Sequence, residues 1–256
     1  MPAEPSLIAE KLIKEIYDFQ MDFKKITTFE RMKLVSQVES LCKVSEYDYH
    51  DYLGVIFCLE NNRQLSIEHH EIALKKAEEL FMVNHNYFTT LKEFGLFKKA
   101  RKFGDLILDK FPSNVIEFKT GETMVDILLA SGRIEDSYSF LNRLENPMNH
   151  KYYDVIANFL PIFKDSGLTD DEAEKLHDVI FGVLHEKQLY LSNIEIKVID
   201  NCLLITIYVD LPIEDIFDLN WDVAGVLAES VDDMRSDVIM FEFSSVDVFL
   251  EKKGKS

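Results

Sequence analysis

Between Tyr47 and Pro147 one residue pattern recurs at a spacing of about 34 residues, the period of stacked helix-turn-helix pairs. Ser66 stands where Ala100 stands one period later, Ala73 matches Ile107, and Glu78 matches Pro112. A third pass is looser: Ser137 lies 37 positions after Ala100, Gly132 to Ser137 again read as turn followed by helix, and Pro147 closes it. One such pair cannot bury its apolar face alone, so the period demands stacked neighbours. With 47% of 256 residues hydrophobic, the chain has the material for that core.

Helical signals flank the repeat on both sides. Leu7, Ile8, Leu12, Ile13, Ile16, Tyr17 and Phe23 lie at near-helical spacing after Pro5, predicting a helix over 6–24. Thr27-Thr28-Phe29-Glu30 has the form of a capping box, and Met32, Leu34, Val35, Val38 and Leu41 continue the helix it opens. After Pro147 two more helices are predicted, from Lys151 to about Leu160, where Pro161 interrupts the pattern, and from a second capping box at Thr169 to Glu186.

At Leu191 the apolar period changes from 3.6 to 2. Ile194, Ile196 and Val198 alternate, Asp200-Asn201 signals a turn, and Leu203, Ile205, Ile207 and Val209 alternate again, which predicts a β-hairpin. A helix follows Pro212, with Phe217, Trp221, Ala224, Leu227 and Ala228 on one face and Asp218 or Asn220 as its cap. Trp221 is expected to anchor its core. A last strand covers 238–243, and Glu251 to Ser256 form a tail. The expected fold is therefore α+β and multidomain: a helical domain over 1–190 and a small acidic β-β-α-β domain over 191–256.

In its first period the chain resembles the tetratricopeptide family, on Leu53, Gly54, Phe57, Ser66, His70 and Ala73. The family places Leu-Gly, an aromatic, a small residue, an aromatic and Ala at those offsets. In the second period Tyr87, Phe88, Leu91, Ala100, Gly104, Ile107 and Pro112 correspond, with Phe88 in place of the glycine. The resemblance implies that the first helix of each pair lines a concave face that binds a protein or peptide. The candidate partner-binding residues are then Asp48, Asp51, Val55 and Cys58, followed by Met82, His85, Thr89 and Lys92. A subset of the family grips a peptide C-terminus with lysine and asparagine. Asp51 and Val55 stand at those positions, so that clamp is absent and a basic ligand suits Asp48 and Asp51 better.

The formal charge of -18 sits unevenly. Residues 191–256 hold 14 acidic and 5 basic side chains, whereas 81–113 hold 6 basic and 3 acidic. Such acidity repels phosphate backbones, so direct nucleic-acid binding is not expected. The run Lys98-Lys99-Ala100-Arg101-Lys102 reads as a solvated helix face pairing with acidic neighbours. Cys42, Cys58 and Cys202 are dispersed and odd in number, which suits reduced thiols and a cytoplasmic setting, with no signal peptide or membrane span expected. No phosphate-cradling glycine loop, nucleophile elbow or zinc-ligand cluster appears. His177 and His185 are eight apart on one helix and do not make a zinc pair. Asp232 to Asp237 lack the glycine and spacing of a calcium loop. No cofactor or metal is expected.

These readings converge on a non-enzymatic interaction scaffold or adaptor that binds a protein or peptide through its helical array. The alternative is an acidic inhibitor or nucleic-acid mimic acting through the C-terminal domain. The open sheet face or edge of that domain is also available to a second copy of the chain.

Overall fold

A computed structural model describes Glu15 and residues 26–112, 119–189, 191–230 and 238–254. The fold is α+β, a helical repeat followed by a three-stranded sheet. Among the described residues the α-helices before the sheet include α1 (Thr28–Glu39), α2 (Glu46–Leu59), α3 (Arg63–Ala77), α4 (Phe81–Glu93), α5 (Phe97–Lys110), α6 (Thr120–Ala130), α7 (Ile134–Leu141), α8 (Tyr153–Ser166) and α9 (Asp170–Glu186). The predicted helix over 6–24 and the cluster Asp232 to Asp237 lie outside the described residues, apart from Glu15, which is helical.

Four of the three-residue connections between helices carry a left-handed residue: 60–62, 94–96, 131–133 and 167–169. Asn61, Gly95 and Gly132 sit in the middle of the first three with φ of 59°, 65° and 79°. That left-handed region is open to glycine and tolerated by asparagine, which explains why these types occupy the turn. In the fourth turn the left-handed residue is the first, Gly167, with φ 75°. The helices that follow begin at Arg63, Phe97, Ile134 and Asp170, steps of 34, 37 and 36 residues. The fourth residue of each is Ser66, Ala100, Ser137 or Ala173, and all four are fully buried. The helical repeat thus has four passes, one more than the sequence pattern displays.

By internal contacts the chain divides into two compact units, Met1–Phe94 with Asp105–Asn114, and Gly95–Gly104 with Val115–Ser256. In the first unit, Thr27 caps α1 as predicted: its hydroxyl accepts from the Glu30 N–H at 3.3 Å while the Glu30 carboxylate accepts from the Thr27 N–H at 2.8 Å. Leu34, Val38 and Leu41 pack with Leu53, Ile56 and Leu59 of α2. Burial of each such side chain contributes about 1.5–3 kcal/mol. Ser66 lets α3 approach α2 closely and donates its hydroxyl to the Gly54 carbonyl at 2.6 Å.

In the second unit the turn between α6 and α7 presses onto α9. A Cβ on Gly132 would lie 2.8 Å from the Ala173 backbone carbon and 2.6 Å from the His177 ring. The basic run of α5 pairs with the same helix, Arg101 to Glu174 at 2.8 Å and Lys98 to Asp178 at 3.8 Å, as its charge pattern suggested. Pro161 does not end its helix: α8 continues to Ser166 with the proline on the exposed side.

Strands β1 (Leu191–Ile199) and β2 (Cys202–Val209) form the predicted antiparallel hairpin, with Ile196 opposite Ile205 and Val198 opposite Leu203. Asp200 and Asn201 make its turn with φ of 50° and 66°. Helix α10 (Ile213–Ser230) leads to β3 (Ile239–Ser245), which pairs parallel with β2, and a final helix α11 (Val246–Gly254) follows. The last element corrects the expectation of a tail: Glu251 lies within α11, whose Phe249 and Lys252 pack on Tyr208.

Two expectations for α10 are also corrected. The helix starts at Ile213, so Asp218 and Asn220 are interior residues and not caps. Trp221 is 74% exposed and Phe217 73%, and the residues α10 buries are Leu219 and Val223. Asn220 fixes this rotation. Its amide accepts from the Phe243 N–H at 2.8 Å and donates to the Phe243 carbonyl at 3.1 Å, satisfying both groups on the outer edge of β3.

Candidate functional site

The densest polar cluster of the first unit joins α2, α3 and α4. His70 Nδ1 lies 3.0 Å from Asp51 Oδ1, and His70 Nε2 lies 2.9 Å from Thr90 Oγ1. Asn86 donates to the second Asp51 oxygen at 2.7 Å. These contacts fit one assignment, with the Nδ1–H donating to the carboxylate and Nε2 accepting the threonine hydroxyl. Burial pushes the Asp51 carboxyl above the usual range, and hydrogen bonds from His70 and Asn86 pull it back down.

An acid, an imidazole and a hydroxyl in series have the order of a nucleophilic triad. Thr90 is only 3% exposed and His70 0%, so no substrate reaches the hydroxyl. The cluster instead ties three helices together, and its polar atoms satisfy one another as a buried network must. Cys58 is equally removed from chemistry: it is buried, and burial pushes its thiol up, away from the reactive thiolate.

The predicted partner-binding residues therefore separate into two groups. Asp51, Val55 and Cys58 are buried, and Asp48 is half-buried. With Asp51 engaged by His70 and Asn86, Asp48 is the predicted acidic residue left for a basic ligand on α2. On α4, Met82 is exposed and His85, Thr89 and Lys92 are half-buried, spaced three, four and three residues apart along one face. Burial lowers the His85 imidazole from its ordinary value. His70, Asn86 and Thr90 were not among the predicted residues. His70 stands at an aromatic core position, and nothing in its spacing announces partners 19 and 20 residues away.

A second pair joins α2 and α3, where His50 Nδ1 and His69 Nδ1 are 2.9 Å apart and Phe57 stacks on His69 at 5.3 Å. One ring donates and the other accepts. Burial lowers both imidazoles, which keeps that single-proton arrangement.

In the second unit the strongest electrostatic feature lies between α7 and α9. Asp170 accepts the N–H groups of Glu135 at 2.9 Å and Asp136 at 3.0 Å, capping a helix whose own N-cap, Arg133, supplies no side-chain bond. Arg133 pairs in turn with Asp136, Asp171, Glu174 and Asp170. His177 is fully buried, its Nδ1 2.8 Å from the Ala130 carbonyl and its ring edge-on to Phe241 at 4.8 Å. Among the described residues no three His, Cys, Asp or Glu side chains are grouped to hold a metal, and no helix is long and apolar enough to cross a membrane.

No family model, curated protein or solved structure matches the chain.

Proposed function

We propose that the protein is a non-enzymatic interaction scaffold: a tetratricopeptide-like helical array that binds a protein or peptide partner. The observation that supports this reading is the division of labour among its polar residues. Asp51, His70 and Thr90 are buried inside the helical repeat with Asn86 bonded to Asp51, whereas Met82 is exposed and His85, Thr89 and Lys92 lie half-buried along one face of α4. A helix that carries apolar, aromatic and polar side chains along one accessible stripe is suited to an extended or helical segment of another protein.

Site-specific photo-crosslinking tests it. A benzophenone side chain at position 82 or 89 of the full chain is expected to trap a discrete protein partner, and Lys92→Glu is expected to abolish the adduct. Hydrogen exchange of the complex is expected to show protection in 81–93. Protection confined to 191–254 would show that the helical array is not the binding surface.

A further inference from the structure

Helix α10 carries a wider apolar arc than the fold covers. Its inner side is fixed by burial of Leu219 and Val223 and by the double bond from Asn220 to Phe243. On the other side Ile213, Phe217, Trp221, Ala224 and Ala228 step by four, four, three and four residues, a stripe roughly 80° wide at 3.6 residues per turn. All five are exposed, Ile213 by 62% and the two aromatics by more. Isolated exposed apolar residues are ordinary. Two large aromatics aligned with an isoleucine on one helix face are not.

The surface also has relief. Phe217 and Trp221 project, while Ala224, Gly225 and Ala228 form a low stretch, with open space where a Gly225 Cβ would stand. Ridge beside groove is the geometry that helices use to pack.

Charge selects the occupant. Glu214 and Asp218 run beside the Trp221 edge one turn apart, Asp222 one turn on pairs with Lys187 at 2.7 Å, and α10 contains five acidic residues and no basic one. A second copy docked antiparallel by a two-fold axis would set like rows against each other. A membrane surface attracts amphipathic helices whose polar face is basic, the reverse of α10. We propose that this face of α10 docks a basic amphipathic helix from a partner protein, its apolar side on Phe217 and Trp221 and its lysines or arginines along Glu214 and Asp218. The proposal stands apart from the α4 surface and does not depend on it.

Trp221 is the only tryptophan in the chain, so its fluorescence reports on this site directly. The full-length protein is titrated with a synthetic Leu/Lys amphipathic peptide of about five helical turns, a scrambled peptide of the same composition, and a Leu/Glu counterpart. The free protein should emit as a water-exposed indole at all concentrations. The Leu/Lys peptide should shift emission saturably to the blue, the scrambled peptide should bind at least about tenfold more weakly, and the Leu/Glu peptide should not bind. Phe217→Ser should weaken Leu/Lys binding about tenfold, and Glu214→Lys with Asp218→Lys should reverse the peptide preference. Both variants change exposed side chains, and an unchanged circular dichroism melt verifies their folding.

A blue emission from the free protein, constant or rising with concentration, would mean that the chain itself or a second copy covers the face, and would overturn the proposal. Equal binding of scrambled and amphipathic peptides would overturn it in favour of charge alone, as an acidic mimic requires. An equal shift with phosphatidylcholine vesicles would overturn it in favour of lipid.

Discussion

The imidazole of His70 fills the space that a side chain on Gly54 would need: a Cβ there would lie 2.6 Å from His70 Cδ2 and 2.7 Å from Nε2. The ring cannot step aside without releasing Asp51 and Thr90. Gly54→Ala is therefore expected to cost about 2–3 kcal/mol, read as a lower urea midpoint with unchanged slope. A stability within error of wild type would mean that the ring has freedom the network denies it.

Removing the acid from that network should cost more than neutralising it. Asp51→Ala strands the His70 Nδ1–H and an Asn86 donor in a buried site, for about 3 kcal/mol, whereas Asp51→Asn keeps an acceptor for His70 and should cost less than half as much. Paired urea titrations of the two variants check the order. Equal losses would assign the effect to charge and not to the lost acceptor.

Asp170 supplies α7 with the cap that Arg133 does not. Asp170→Ala is expected to destabilise the second unit by about 1–2 kcal/mol. Residue-resolved hydrogen exchange should show the Glu135 and Asp136 amides losing protection before their neighbours. Protection unchanged at those two amides would show that water replaces the carboxylate at no cost.

His177 gives stability a definite pH dependence. Burial lowers its imidazole to about 4, against about 6.5 in an unfolded chain. Between those values the unfolded chain binds the extra proton, so the contribution is fully present above the unfolded value. It is lost as pH falls through the window, by up to about 3 kcal/mol. Asp51 and Asp170, raised by burial, work in the opposite sense. The informative quantity is thus the difference between wild type and His177→Gln, which should shrink steadily from pH 7 to pH 4. A constant difference would place water at the imidazole.

The repeat was legible because its cause is local. Left-handed turn residues and a small residue five positions later mark the first three passes, at Asn61 and Ser66, Gly95 and Ala100, and Gly132 and Ser137. The fourth was hidden because its left-handed residue moves to the first turn position, Gly167, and because Pro161 reads as a break. A step of 34 also takes Gly54 to Phe88 and His70 to Gly104, so the small and large residues exchange helices and the glycine signature disappears. Asp51 looked like a groove residue because an aspartate near a helix start is usually solvated. Its burial depends on His70 and Asn86, which nothing in its own helix foretells. Trp221 reads as a core anchor because it shares an apolar face with Phe217, Ala224, Leu227 and Ala228, yet the rotation of α10 is decided by one amide, Asn220, against the backbone of Phe243.

The carboxylate that caps α7 arrives late. Asp170 lies 35 residues after Glu135, so the first turn of α7 leaves the ribosome before the carboxylate that caps it does. Until α9 is delivered, that turn has only water to bond. Helix α7 therefore takes its place in the order in which the ribosome releases the chain, waiting on its successor.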